Sequence, residues 1–266
     1  MPYIPHTQKD TEEMMSTIGV SKIEDLFDAV PSEILKDGFF NLPESLNEQE
    51  TREKLSNIAK RNNNPEISFL GGGLYNHYIP AHIGELSRRS EFYTAYTPYQ
   101  PEISQGILQG IFEYQTMITR LTAMDATNAS MYDGSSATGE VCLMAASIAR
   151  RNKILVGRNV HPQYREVMKT YCEGKGLELE EVPFNTETGK IDQGKLKEMM
   201  DEDTAGVFVQ SPNFFGVVED MKEISDFVHE NKSISVQVIA EGLSLGLLTP
   251  PGELGVDIVV GEGQSF

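Results

Sequence analysis

The sequence has no tryptophan, only two cysteines and no long run of apolar residues. Without a stretch of about 18 apolar residues no membrane-spanning helix is predicted, and the polar residues 1–10 lack the apolar segment of a secretory signal. Cys142 and Cys172 both fall in helical segments, which fits a reducing compartment and argues against a disulfide scaffold. We therefore expect a cytoplasmic protein with no membrane association.

Basic residues are scarce as well. The 266 residues include 22 Lys and Arg against 40 Asp and Glu, which gives a net charge of −18. Such a surface repels the phosphates of DNA and RNA, so a nucleic-acid partner is not expected.

Several catalytic signatures are missing from the sequence. There is no P-loop lysine and no H-E-x-x-H, and the triple glycine at 71–73 lacks the spacing of a dinucleotide-binding loop. The five histidines show no metal-ligand spacing, so no metal site is predicted. His161, directly before Pro162, is expected to cap a helix in a structural role.

From about residue 103 the sequence alternates short apolar strands with amphipathic helices. This alternation predicts an α/β fold with a mostly parallel sheet covered on both faces. The predicted strands are 154–157, 177–182, 206–210, 235–240 and 257–260, and the predicted helices between them lie near 162–174, 192–201 and 220–231.

Two further helices are predicted ahead of the first strand, each with apolar residues on one side, and the stripe of the first is expected to face inward. The stripe of the first consists of Ile103, Ile107, Ile111, Tyr114, Ile118 and Leu121, and that of the second of Val141, Met144 and Ile148.

The first 65 residues are predicted to form a helical N-terminal arm, followed by one α/β domain over 66–266. Two capping-box patterns, Ser21 with Glu24 and Asn47 with Glu50, predict helix starts within the arm. Because the sequence ends at Phe266 directly after a predicted strand, where an α/β domain normally adds another helix, we expect the chain to be truncated.

Two segments stand out as candidate sites. In the run 96–106, Pro98 and Pro101 favour an extended backbone before a helix, which would present the polar groups of the aromatic segment to a ligand. The alternative is a proline-rich connector with half-buried tyrosines. The turn Gly134, Ser135, Ser136 opens a helix and could bind a phosphate, although serine near an N-cap is more often ordinary structure.

Three motifs together resemble the glycine cleavage P-protein family, and in particular the first subunit of its two-chain bacterial form. They are residues 69–80 (FLGGGLYNHYIP), 96–106 (YTPYQPEISQG) and 128–134 (NASMYDG). The likeness extends from Tyr3 to Gln264 and so covers essentially the whole sequence. Since the family also carries a smaller C-terminal domain, the resemblance implies that this domain is missing here.

The resemblance implies an aspartate-aminotransferase-like fold, the fold type I of enzymes that use pyridoxal 5′-phosphate (PLP). It implies decarboxylation of glycine on PLP and transfer of the aminomethyl group to the lipoyl arm of the H-protein, with lipoamide as acceptor. It also implies a second, related P-protein subunit, paired with this one in a dimer of heterodimers.

One departure from the family pattern concerns the lysine that binds PLP. The family places it after a late strand in a His-Lys-Thr-Phe type sequence, where this chain has Gly263, Gln264, Ser265 and Phe266. Glutamine has no amine, and the acid expected on the preceding strand has only Glu241 as a substitute. We therefore expect a copy without its own PLP, whose partner subunit holds the cofactor.

The active site of this fold lies between subunits, so the resemblance assigns side chains of this chain to the partner's pocket. The predicted contacts to PLP and glycine are Tyr96, Thr97, Tyr99 and Gln100, with Tyr75, Asn76 and His77 at the same mouth. Two alternatives remain open: a non-catalytic subunit that only stabilises its partner, and a self-sufficient PLP lyase or desulfurase of the same fold.

Overall fold

The computed structural model describes residues 5–34, 42–63, 65–72, 75–93 and 100–266. The chain divides into two compact units, 1–68 and 69–266. The predicted division into an arm over 1–65 and a domain over 66–266 stays a prediction, because compactness alone does not establish independent domains.

The first unit contains short helices whose ends follow capping rules. Asn47 and Glu50 form the predicted capping box, with the Glu50 backbone N–H donating to Asn47 Oδ1 at 2.9 Å. A second box, formed by Thr7 and Asp10, was not predicted. The elements are α1 (Gln8–Ile18), a 3₁₀ helix (Ile23–Phe27) and α2 (Glu48–Ala59).

The capping box predicted at Ser21 and Glu24 is wrong. The 3₁₀ helix starts after Lys22, and the carboxylate of Asp25 accepts hydrogen bonds from the backbone N–H groups of Ser21 and Lys22, each at 3.1 Å. Because the N-cap residue is Lys22 rather than Ser21, the third residue of the helix is Asp25 rather than Glu24, and Asp25 takes the role.

The second unit begins with helices and continues as alternating strands and helices. The helices are α3 (Ala81–Ser87), α4 (Ser90–Tyr93), α5 (Pro101–Thr122), α6 (Gly134–Ala149), α7 (Pro162–Lys175), α8 (Gln193–Met199) and α9 (Met221–Glu230). The strands are β1 (Lys153–Gly157), β2 (Glu178–Val182), β3 (Thr204–Gln210), β4 (Ile234–Ile239) and β5 (Ile258–Gly261), and 3₁₀ helices at Gly242–Gly246 and Pro251–Leu254 join the last two.

The five strands form one sheet in the order β2-β1-β3-β4-β5, and every pair is parallel. All five strand predictions are confirmed to within two residues. A parallel sheet needs crossover helices that cover both faces, which explains why β1 and β3 are buried along their whole length.

Alternate residues of each strand face opposite helix layers. Ile154 and Val156 pack in one core with α6 and α7, whereas Leu155 between them packs in the other core with α8 and α9. The predicted α/β class with a sheet covered on both faces is therefore confirmed.

The predicted inward stripe of α5 is wrong in part. On α5, Ile103 is 78% exposed and the central isoleucines are only half-buried. On α6, Val141 is buried but Met144 and Ile148 are about half exposed. The buried face of α6 instead consists mostly of small residues, which allow the helix to approach the sheet and α7 closely.

Candidate functional site

The candidate site lies at the carboxyl ends of the strands. In the sheet, β2 lies on one side of β1 and β3 lies on the other, so the strand order reverses direction at β1. Open parallel sheets bind ligands at such a reversal, beside the carboxyl ends of the strands. The segments that follow β1, β3, β4 and β5, together with the start of α6, form this edge.

The first turn of α6 is held by its N-cap residue, Asp133. Oδ1 of Asp133 accepts the backbone N–H of Ser136 at 2.7 Å and the hydroxyl of Ser135 at 2.8 Å. These hydrogen bonds, the backbone bond from Ser136 first, hold the pKa of Asp133 below its usual value. The carboxylate is therefore a firmly ionised cap at the positive end of the helix dipole.

A second carboxylate reaches the same turn from the end of β5. Oε1 of Glu262 accepts the backbone N–H of Gly134 at 2.8 Å and the hydroxyl of Tyr164 at 2.7 Å. Burial, followed by the hydrogen bond to Glu262, raises the pKa of Tyr164, so its hydroxyl stays a donor. Gly134, Ser135 and Ser136, the predicted phosphate turn, thus each donate to a carboxylate of this chain.

Gln264 lies in the turn after β5 and is exposed. Together with Gly134 it lines a cavity of about 670 Å³, whose other walls come largely from apolar side chains of α5, α6 and β5 such as Ile118, Met144 and Val260.

His77 and Glu241 form a contact that joins two predicted site residues far apart in sequence. His77 Nε2 lies 3.0 Å from Glu241 Oε2, and Glu241 also accepts the backbone N–H of Leu243 at 3.1 Å. Partial burial would raise the pKa of Glu241, but hydrogen bonds from Ser265, Leu243 and His77 outweigh it and lower the pKa. His77 thereby lies beside the segment that contains Gln264.

The two residues before His77 point to a different environment. Tyr75 is about half exposed and Asn76 is exposed. None of Tyr75, Asn76 and His77 lines the cavity, and His77 reaches the end of β4 through its contact with Glu241.

His161 has the structural role predicted for it. Its ring Nε2 lies 2.7 Å from the carbonyl oxygen of Gly72, and Nδ1 accepts the backbone N–H of Gln163 at 3.2 Å. Because a carbonyl only accepts, the proton resides on Nε2. His161 therefore anchors the segment of Gly72 to the start of α7, and Gly72, with φ at +75°, has the backbone conformation that favours glycine.

Sequence reasoning missed a buried acid, Glu219. Its Oε1 accepts the side-chain amides of Asn159 at 2.6 Å and Asn213 at 2.7 Å, and so joins the loops that follow β1 and β3. Burial raises the pKa of Glu219 despite these bonds. No spacing rule indicates such a group, since its partners lie 60 and 6 residues away.

The aromatic run is only partly described. Tyr96, Thr97 and Tyr99 lie outside the described residues. Gln100 is the N-cap residue of α5, is exposed, and makes no capping hydrogen bond with its side chain. Its amide group therefore faces solvent at the beginning of the helix.

Two features are absent from the described ranges. No cluster of His, Cys, Asp or Glu in these parts of the chain could hold a metal ion. Likewise, none of the described helices is both long and apolar enough to cross a membrane.

Comparison with known proteins gives consistent results. The sequence profile of the family described as "Glycine cleavage system P-protein" matches residues 1–266. A protein of Carboxydothermus hydrogenoformans named "Probable glycine dehydrogenase (decarboxylating) subunit 1" is 51% identical over 100% of this chain and 60% of its own length. The chain thus spans about three fifths of this relative.

Solved structures agree with the sequence matches. A crystal structure of glycine decarboxylase (P-protein) of the glycine cleavage system, in inhibitor-bound form, is 43% identical with a TM-score of 0.89, covering 100% of this chain and 59% of that one. A sphingosine-1-phosphate lyase of Burkholderia pseudomallei, 12% identical with a TM-score of 0.54 over 76% of this chain and 49% of its own, shares the fold alone.

These matches confirm the aspartate-aminotransferase-like fold and the resemblance inferred from the three motifs. A profile match over the whole chain, together with 51% identity to a named first subunit, leaves one assignment. The chain belongs to the glycine cleavage system P-protein family.

Proposed function

We propose that this chain is the first subunit of a two-chain P-protein and does not bind PLP itself. With its partner subunit it takes part in the decarboxylation of glycine and in transfer of the aminomethyl group to the lipoyl arm of the H-protein. PLP, held by the partner, supplies the electron sink for the decarboxylation. The cytoplasm is the proposed location, in keeping with two cysteines that are buried and not joined in a disulfide.

The observation that carries this proposal is the side chain after β5. Within the 266 residues the last lysine is Lys232, in the turn before β4, so no amine follows β5 at the carboxyl edge of the sheet. Gln264 stands in that segment, and an amide nitrogen does not attack an aldehyde. The residues here therefore do not fit a covalently held PLP.

The acid at the end of β4 supports the same conclusion. A PLP site needs a carboxylate facing the pyridinium nitrogen. Glu241 instead is bonded to His77, to the backbone of Leu243 and to Ser265. Its acceptor capacity serves to fix the segment that contains His77.

We further propose that this chain completes the partner's pocket. The proposed contacts to its PLP and glycine are Tyr96, Thr97, Tyr99 and Gln100, with Tyr75, Asn76 and His77 at the mouth. Two observations on the described residues support this. The amide of Gln100 is not used in capping α5, and Glu241 holds His77 in one position.

The exposed apolar side chains of α5 support pairing with a second subunit. Ile103, Phe112 and Met117 are each more than half exposed. Apolar residues in such number on one helix are typical of a surface that another chain covers. A related subunit that packed against this face of α5 would bury these side chains and would place the start of α5 at the interface.

Two measurements test the proposal. We expect the chain purified alone to be colourless and to form no borohydride-reducible bond with PLP, and glycine–bicarbonate exchange to appear only when the second subunit and lipoylated H-protein are added. A yellow chain with a reducible bond would make it a self-sufficient PLP enzyme and would overturn the proposal. Exchange by the second subunit alone, at the rate of the pair, would reduce this chain to a stabilising role.

A further inference from the structure

The start of α6 has the form of a phosphate-binding element. Free backbone N–H groups and the positive end of the helix dipole attract anions at such a position. In this chain, however, three donors of this turn are occupied. Asp133 accepts from Ser136 N–H and the Ser135 hydroxyl, and Glu262 accepts from Gly134 N–H.

Glu262 is held in this position from a distance of 128 residues in sequence. The hydroxyl of Tyr164 donates to the same Oε1 that accepts Gly134 N–H, and the Tyr164 side chain is buried. The buried Tyr164 thus fixes the Glu262 carboxylate against the start of α6.

The contact also leaves no room for a second anion beside Gly134. A methyl group added at Gly134 would lie 2.6 Å from Glu262 Oε1, and closer still to the Tyr164 hydroxyl. The carboxylate therefore packs directly against the backbone where the oxygen of a phosphate would have to lie.

We propose that Glu262 acts as an internal anion: its carboxylate fills the position at the start of α6 that a phosphate would take, and so closes this chain's pocket to phosphate ligands. The inference rests on the proposed function in one respect, that this copy carries no cofactor. It goes further by naming the group that keeps the cofactor phosphate out.

Charge and space act together in this closure. A phosphate at the helix start would meet two carboxylates, Asp133 and Glu262, within contact distance. Repulsion at such short range in a partly buried turn outweighs the attraction of the helix dipole. Removal of the Glu262 charge leaves the dipole and the freed Gly134 N–H to attract an anion.

The test is binding of inorganic phosphate to the purified chain, measured by calorimetric titration and by the shift in melting temperature. Glu262→Gln removes the charge at constant size, and Glu262→Ser also removes the bulk. Glu166→Gln and Glu166→Ser are the matched controls, since Glu166 is an exposed acid on α7 that does not line the cavity. We expect phosphate to bind at least about tenfold more tightly to the Glu262 variants than to wild type, whereas the Glu166 variants should bind it no more tightly than wild type.

Two outcomes would overturn the inference. One is phosphate binding to wild type as tight as to the Glu262 variants, and the other is a folded Glu262→Gln protein that binds phosphate no better than wild type while Glu262→Ser also fails to bind. If Glu262→Ser does not fold, the isosteric Gln variant decides alone. The assay uses neither glycine nor PLP, so its failure is distinct from that of the proposed function, which the colour and exchange measurements decide.

Discussion

The two long helices ahead of the sheet, α5 and α6, begin in opposite ways. At the start of α6 two carboxylates of the same chain accept the available donors, and a buried tyrosine fixes one of them. At the start of α5 the side chain of Gln100 makes no capping hydrogen bond and is exposed. Groups that a chain satisfies itself serve its own structure, whereas exposed and uncommitted groups remain available to another molecule.

Packing of the two helices shows the same contrast. α6 buries a face of small residues between the sheet and α7, while α5 exposes large apolar residues such as Phe112 at 68%. The region that resembles a cofactor site is thus the more self-contained one, and the region that resembles a connector is the more open one. This difference is what the proposed division of labour between two subunits requires.

The largest effect that would break this comparison is expected from Gly134→Ala, with Gly106→Ala as its control. A methyl at Gly134 would collide with Glu262 and Tyr164, whereas one at Gly106 in α5 would meet no atom within 4 Å. We expect the first substitution to lower the free energy of unfolding by about 1–3 kcal/mol. The second should raise it by up to about 1 kcal/mol, because alanine is the better helix former.

Urea denaturation followed by circular dichroism measures both values. Equal effects of the two substitutions would mean that the start of α6 is no more tightly packed than the surface of α5.

The next effect concerns the open side of the comparison. In the reconstituted two-subunit enzyme we expect Tyr99→Phe to lower glycine–bicarbonate exchange about tenfold, the equivalent of one hydrogen bond to a charged group. Tyr132→Phe is the control, since this tyrosine is 94% exposed and lies just before α6. Unchanged exchange and unchanged PLP affinity in the Tyr99 variant would remove Tyr99 from the partner's pocket.

The smallest effect is a pH dependence at the start of α6. The pKa of Asp133 is lowered from 3.8 by hydrogen bonds from Ser136 and then Ser135. Folding stabilises the carboxylate form of Asp133, so this residue contributes to the free energy of unfolding at pH values above its unfolded pKa. The contribution is lost as the pH falls from about 3.8 through the lower pKa of the folded state.

We therefore expect Asp133→Asn, which keeps a good cap but removes the charge, to flatten the acid limb of a stability–pH curve. At neutral pH the loss should stay below about 1 kcal/mol, because asparagine is also a good N-cap residue and Asp133 is only partly buried. Asp125→Asn, which removes one charge from the exposed turn before α6, is the control. An identical curve for wild type and Asp133→Asn would contradict the role of the cap.

Local patterns predicted the parts of the fold that depend on neighbours in sequence. The strands were located to within two residues, and the Asn47 box was correct, because alternation and capping are short-range effects. The inward position of the α5 stripe was predicted incorrectly in part. Periodicity shows that a helix has an apolar face, but it does not show whether the same chain covers that face. The capping box predicted at Ser21 and Glu24 was wrong because two neighbouring acids, Glu24 and Asp25, could both cap this helix. Only the geometry of the turn shows that Asp25 does so.

By itself, the sequence determined the family and the glutamine at position 264 just after β5, because both depend only on the identity and order of residues. It also indicated that the turn at Gly134 could attract an anion. Only the tertiary structure decided which anion lies there: parallel pairing of β4 with β5 and the packing of α6 bring Glu262 onto a backbone N–H 128 residues away. No periodicity encodes such a contact, because its energy depends on the meeting of distant segments rather than on the residues beside it.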